Sequence, residues 1–274
     1  MNFFQAGDFL RFFCNSVTKY QLHSPFVFAL ACAVLEDKRW FYAFQDVEGV
    51  REKMLVSDLT VKVGLFFEGS DQGARTASKH QSVRSLVRQS RITASVGQML
   101  FRLTNHLKPG KILELETALG IGTMYLASAA REAQVLSLEP SSDLVNIARV
   151  NLEILGLNKN VKVLEGDLER NHIIALKELV KPDFIFFNGH HTQEAILCYF
   201  ESSLPFAHLK TVFVFHQTHR TKASVEAWTK IKAHGSVTLT LDFFELSLAF
   251  IDPDFREKQH FNVLPAGWKP WMFF

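Results

Sequence analysis

Lys111–Leu126, KILELETALGIGTMYL, decides the fold. Its first five residues read as a strand, its middle as a turn closed by Gly120, and Ile121–Ala130 as a helix. Pro109-Gly110 stands just ahead and ends the helical pattern before it. Strand, glycine turn and helix in this order open a doubly wound α/β sheet. In such sheets ligands bind at the carboxyl ends of the strands, near the point where the strand order reverses.

From Lys111 to about Val263 strands and helices alternate, which predicts a mostly parallel sheet with helices on both faces. Strands are expected at Val135–Leu138, Val161–Leu164, Asp183–Phe187 and Thr211–Phe215. The helices between them are expected at Ser142–Leu155, Leu168–Leu179, Gln193–Leu204 and Lys222–Ala233. Asp183–Phe187 is almost continuously apolar, as a strand covered on both faces must be. Val237–Phe243, Leu246–Ile251 and His260–Val263 read as late strands, the last two antiparallel. Toward the N terminus helical periodicity dominates. Helices are expected at Asp8–Lys19, at Pro25–Leu35 behind a Ser24 cap, and in one long run from Ser82 to Leu107. Glu68–Ala74, EGSDQGA, is a loop by composition.

The bulk numbers exclude more than they name. The chain is 47% hydrophobic and 21% charged, too apolar for disorder, and its net charge of +2 points to no partner. Its 26 Phe residues predict a large aromatic core or surfaces that need covering. Three widely spaced cysteines, Cys14, Cys32 and Cys198, form no CxxC pair, so neither a thiolate metal site nor a disulfide framework is expected, and a reducing cytoplasm is. The start, MNFFQAGDFLRFF, lacks a basic region and does not read as a signal peptide. The longest apolar run, Pro25–Leu35, is far short of a membrane span.

A nicotinamide or flavin fingerprint, GxGxxG/A, would use Gly120, Gly122 and then Tyr125, which is too large for close helix–strand packing. The turn is instead similar to the E/D-x-G-x-x-x-G turn of methyltransferases, with Glu114 in the acidic position and Gly120 as the last glycine. Glu139 ends the second strand, 19 residues after Gly120, where a carboxylate can accept from two ribose hydroxyls. Gly166-Asp167 follows the third strand, where that family holds the adenine amino group. As plain structure, Glu139 is a surface glutamate and Asp167 a turn residue.

Further stretches resemble bacterial class I S-adenosylmethionine (SAM) dependent methyltransferases of the catechol O-methyltransferase type. They are HSPFVF at His23–Phe28, GQMLFRL at Gly97–Leu103, NGHHTQEAILCYF at Asn188–Phe200, AWTKIKAH at Ala227–His234, DFF at Asp242–Phe244 and KQHFNV at Lys258–Val263. In order they span nearly the whole chain. The resemblance implies a Rossmann-like, mostly parallel seven-stranded sheet. It implies a helical cap over residues 1–107, a SAM-binding domain over 108–264 and an aromatic tail over 265–274. Glu114, Gly120, Glu139, Asp167 and Asn188 would hold the cofactor, and His191, His216 or His219 would border a methyl acceptor.

The departures from that family carry chemistry too. Its first turn reads LELGTSLG, so Glu116 stands where glycine lets the backbone approach the cofactor's methionine part. A glutamate there blocks the cofactor, turns away, or pairs with its ammonium. The family has DGNH after the fourth strand and an acidic pair after the fifth. Here these are Asn188-Gly189-His190-His191 and His216-Gln217. Mg²⁺ wants carboxylate oxygens, so no Mg²⁺ site of the usual kind is expected. Imidazoles suit Zn²⁺, and a replaced histidine ligand set is the sharper reading beside that of plain loop histidines.

No acidic residue lies between Asp71 and Glu114, while Arg84, Arg88 and Arg91 share one face of the expected helix. That face is either simply solvated or a positive rim for an acidic small-molecule substrate. Nucleic acid is not expected as a partner, nor is a membrane. The tail, Trp268–Phe274, docks on its own chain, covers a second copy in a homodimer, or closes the pocket. Two functions follow: O-methyl transfer from SAM to a small molecule, or a catalytically inactive methyltransferase-like binding or scaffold protein.

Overall fold

The computed structural model describes residues 3–65, 77–188, 192–255 and 257–273. Three helices come first, α1 (Phe3–Asn15), α2 (Pro25–Ala31) and α3 (Tyr42–Leu55). A hairpin of β1 (Thr60–Leu65) and β2 (Ala77–Ser82) follows, then α4 (Val83–Gln89) and α5 (Ala94–Leu107). The α/β part runs β3 (Lys111–Leu115), α6 (Ile121–Ala129), β4 (Gln134–Glu139), α7 (Ser142–Ile154), β5 (Val161–Glu165), α8 (Leu168–Leu179), β6 (Phe184–Phe187), α9 (Gln193–Ser203), β7 (Val212–His216) and α10 (Lys222–Ala233). β8 (Leu239–Asp242), β9 (Leu246–Phe250) and β10 (Gln259–Asn262) complete it.

The main sheet has the order β10-β8-β9-β7-β6-β3-β4-β5. All eight strands lie where strands were expected, one more than the seven-stranded sheet that the resemblance implies. β10, expected to be antiparallel, runs parallel to β8 at the edge, so β9 alone is antiparallel to its neighbours, β7 and β8. The chain leaves β3 toward β4 and β5, then returns to lay β6 on the other side of β3. That reversal puts the switch point of the sheet between β3 and β6.

Alternation along each strand divides the core. Ile112, Val135, Phe184, Phe186 and Val214 face the layer that holds α6, α7 and the N-terminal helices. Leu113, Leu115, Leu138, Ile185, Phe187 and Phe215 face α8, α9 and α10. Buried phenylalanines lie in both layers; in the second, Phe187 stacks on Phe215 with centroids 4.6 Å apart. The helices that follow β4, β5, β6 and β7 each start on a hydroxyl or carboxylate cap: Ser141, Asp167, Thr192 and Thr221.

The N-terminal part departs from expectation. The expected helix 82–107 is two helices. Ser90 leaves the helical conformation, and Thr93 caps α5 by accepting from the Val96 N–H. Arg84, Arg88 and Arg91 therefore do not share a face; Arg91 sits in the loop and Arg84 pairs with Asp58 at 2.8 Å. α3 and the hairpin were not expected, because neither has a strong apolar period. The expected loop at Glu68–Ala74 lies outside the described residues. The tail docks on its own chain. Trp268 and Trp271 pack on Phe9 and Phe13 of α1, and buried Lys269 donates to the Ser16 carbonyl at 2.7 Å. Among the described residues no helix is long and apolar enough to cross a membrane.

The cap shares a core with the sheet, and the contact of α5 with α6 is its closest point. Tyr125 is fully buried against Gly97, where any Cβ would run into the tyrosine ring. Gly97→Ala should therefore destabilise the chain by about 1–3 kcal/mol through overpacking, although alanine favours the helix. Urea denaturation measures this, and Tyr125→Leu in the same chain should recover part of the loss.

Candidate active site

The turn after β3 is held in shape by its backbone. Glu116 and Ala118 have positive φ, 66° and 49°, and Gly120 follows at 80°. Non-glycine residues in this region are strained, so something must hold them. The Thr117 N–H donates to the Leu138 carbonyl at 2.9 Å, and the Ala118 N–H to Glu139 Oε2 at 2.8 Å. Across the switch point, Asn188 Nδ2 donates to the Glu116 carbonyl at 3.0 Å. The ends of β3, β4 and β6 are thus joined by hydrogen bonds into one crevice.

A cavity of 290 Å³ opens there. The sheet side contributes Glu116, Ile121, Gly122 and Asn188, and α7 contributes Leu144. The cap side is the segment between α4 and α5, including Arg91 and Ile92. A chain of polar contacts holds that segment: Tyr125 Oη donates to Glu48 at 2.8 Å, Arg51 Nε donates to Glu48 at 2.8 Å, and Arg51 donates to the Ile92 carbonyl at 2.6 Å. Glu48 and Arg51 were not expected at all. Their signal in the sequence is only an i, i+3 charge pair, which surface helices carry commonly.

The histidines part company. His216 ends β7, is buried, and places Nδ1 3.2 Å from Asn188 Oδ1. Asn188 Nδ2 is committed to a carbonyl, so its oxygen faces the ring, and Nδ1 must carry the proton. Neither His216 nor His219 lines the cavity; His216 reaches it only through Asn188, and His219 is held elsewhere. Its Nδ1 meets Asp8 at 2.6 Å, its Nε2 meets Asp242 at 2.8 Å, and Phe244 stacks on its ring. Burial pushes its pKa down, but the bonds and charges of Asp242 and Asp8 outweigh this and hold it above the usual imidazole value. That carboxylate–imidazolium–carboxylate bridge ties α1 to β8, a structural part in place of the expected one. His190 and His191 lie outside the described residues. Among the described residues no three His, Cys, Asp or Glu side chains gather where a metal ion could sit.

Residues 113–218 match the family model of a methyltransferase domain. The chain has a class I methyltransferase fold. It is similar to the O-methyltransferase of Bacillus cereus in complex with S-adenosylhomocysteine (SAH), at 19% identity over 78% of this chain and 93% of that one, TM-score 0.52. The SAH-bound methyltransferase PaMTH1 of Podospora anserina is similar at 13% identity over 85% and 97%, TM-score 0.56. The O-methyltransferase TomG of Streptomyces achromogenes, in complex with SAM, is similar at 15% identity over 78% and 91%, TM-score 0.52. No curated protein matches the chain.

The acids at the strand ends of this fold are unlike surface carboxylates. Glu139 is buried and accepts from the backbone N–H groups of Ala118 and Ser141, one on each oxygen. Burial raises its pKa to about 7 against the pull of those bonds, and the charge of Glu116 adds to the rise. Glu114 is not among the cavity residues. It lies fully buried between β3 and α6, where Thr123 and Ser137 hydroxyls donate to its Oε2. Its Oε1 has no hydrogen-bond partner among the described residues and faces Gly122, where a Cβ would come within 2.8 Å. Asp167 is exposed and caps α8, accepting from the Arg170 N–H at 2.9 Å.

Burial also raises the Glu114 pKa to about 7, with the two hydroxyls opposing and Glu139 adding to the rise. The native state then keeps a proton that the unfolded chain releases above its ordinary 4.5. Stability from this group is full below that pH and falls as the pH rises through 7, by about 3 kcal/mol for a shift of this size. Glu114→Gln should flatten the decline, losing less stability than the parent between pH 5 and pH 8 in urea denaturation. Equal declines in the two proteins would show that Glu114 is not the buried acid responsible.

Proposed function

We propose that this chain is a SAM-dependent methyltransferase that transfers a methyl group to a hydroxyl of a small molecule. The observation that carries this reading is the cavity at the switch point, where the turn after β3, Asn188 after β6 and the cap segment Ser90–Ile92 converge. A doubly wound sheet places its ligand there. The donor set suits the cofactor. Apolar Ile121 and Leu144 stand beside polar Glu116, Asn188 and Arg91, and the cavity is at the small end of ligand sites.

The turn Glu116–Gly120 and Asn188 would hold the methionine part, Glu139 the ribose and Asp167 the adenine end. Each oxygen of Glu139 keeps a second lone pair beside the backbone bond it accepts. SAM, when bound, supplies an electrophilic methyl group. The protein's part is then largely alignment of the acceptor oxygen, which converts an encounter into a fixed approach. His216, buried behind Asn188 and outside the cavity lining, would position the Asn188 side chain, toward whose Oδ1 its Nδ1–H is directed. His191 remains a candidate for taking the acceptor's proton by sequence position alone.

One observation favours the second reading, an inactive binding or scaffold protein. Glu116 occupies the glycine position, and both Glu139 oxygens already serve the backbone. Calorimetry with SAM and SAH separates the two. SAH at 100 times its Kd should stabilise the chain by about 2.7 kcal/mol. Asn188→Ala should weaken SAH binding about tenfold, because the Glu116 carbonyl and the His216 ring lose their shared partner. No binding of SAM or SAH, with or without Mg²⁺ or Zn²⁺, would leave the scaffold reading in place.

A further inference from the structure

The contact that holds the first helix needs a proton to exist. His219 presents Nδ1 to Asp8 of α1 at 2.6 Å and Nε2 to Asp242 of β8 at 2.8 Å, and all three side chains are largely buried. A carboxylate only accepts, so both ring nitrogens must donate, and the two contacts use two hydrogens. Once one proton leaves, the three groups hold a single hydrogen between two contacts, wherever it sits. The other contact then sets a bare nitrogen against a carboxylate oxygen, with both desolvated.

The two carboxylates are not equally held. Asp242 also accepts from the Trp228 indole and from the Phe244 N–H, each at 2.9 Å. Asp8 has no other hydrogen bond among the described residues. The remaining hydrogen therefore serves Asp242, and Asp8 is the group that loses its partner. α1 is tied down at its other end. Just past Asn15, the Val17 N–H donates to the Asn262 carbonyl at 2.8 Å, and Lys269 holds the Ser16 carbonyl. Toward its start, Phe9 and Phe12 lie on Phe244. The helix is thus anchored at one end and caught near the other by one charged contact.

Other charges around the ring are few. Glu245 follows Phe244; burial raises its pKa, and the charge of His219 opposes the rise. Arg220 is bonded to Gln217 Oε1, Lys269 sits over the Phe13 ring, and α10 brings the neutral Trp228. Burial disfavours the charged imidazole, but Asp242 and Asp8 outweigh it and place its pKa above the ordinary 6.5. The charged contact is therefore complete below that ordinary value and is lost as the pH rises through the raised one.

We propose that Asp8, His219 and Asp242 form a proton-operated latch, which holds α1 on the sheet while the ring carries both hydrogens and lets the helix swing from its anchor at Val17 when one is lost. The released helix uncovers an aromatic face, made of Phe9 and Phe12 on one side and Phe244 and Trp268 on the other.

The test is amide hydrogen exchange of α1 in the full chain, each rate divided by the intrinsic rate at that pH. Protection over Phe3–Asn15 should fall about tenfold or more from about pH 6 to about pH 9.5, the effect of one charged hydrogen bond. Asp8→Asn should flatten this profile to within about twofold, because an amide can accept from the N–H of the charged ring and donate to the bare nitrogen of the neutral one. Every other titrating group stays in place in that variant, and unchanged exchange of α6 reports that it is folded. A parent profile as flat as that of Asp8→Asn, or an equal decline in the two proteins, overturns the latch.

Discussion

Tyr125 sits where the cap meets the sheet, and the cavity depends on how it is held. Its ring needs the space that Gly97 leaves, which brings α5 directly onto α6. Its hydroxyl reaches Glu48, Glu48 holds Arg51, and Arg51 holds the Ile92 carbonyl. One buried side chain thereby sets the distance of the cap from the turn after β3. Without a helix pressed this closely, the segment carrying Arg91 would have no fixed place over the crevice. A fingerprint glycine in place of Tyr125 would remove both the ring packed on Gly97 and the hydroxyl that reaches Glu48.

The site beneath that contact is built from competing demands. Two non-glycine residues with positive φ are kept in the turn by bonds from β4 and β6, so their strain is offset by the surrounding frame. Glu114 and Glu139 are buried acids that favour a proton near neutrality. Such groups cost stability and collect at functional sites. Their presence agrees with a site shaped for chemistry or binding, more than with a sheet refined for stability alone.

Beyond β7, toward α1 and β8, the histidine–carboxylate bridge does different work. His219 joins Asp8 on the first helix to Asp242 on the sheet, and Trp228 donates to the same Asp242 oxygen. The Val17–Val263 bridge and Lys269 secure the same region. The first and last segments of the chain are thus closed on one another around buried polar groups, which demand their partners more strictly than apolar contacts do.

What the sequence determined by itself was the α/β part. Period-two and period-3.6 patterns, apolar strands and capping residues are local, so β3 to β9 and the helices between them were legible, as were Glu139 and Asn188 at strand ends. Tertiary structure decided the rest, because the deciding contacts join residues far apart in the chain. Glu114 lies at a strand end like Glu139, and only its pleat direction buries it under α6. His216 and His219 are three residues apart, and only their partners, Asn188 against Asp8 and Asp242, separate a neighbour of the cavity from a clamp. The break at Ser90–Thr93 redirects Arg91 from a helix face into the cavity, and a short cap signal could have shown it. That Arg91 meets Glu116 at one cavity follows from the packing of Tyr125 on Gly97, which no local pattern contains.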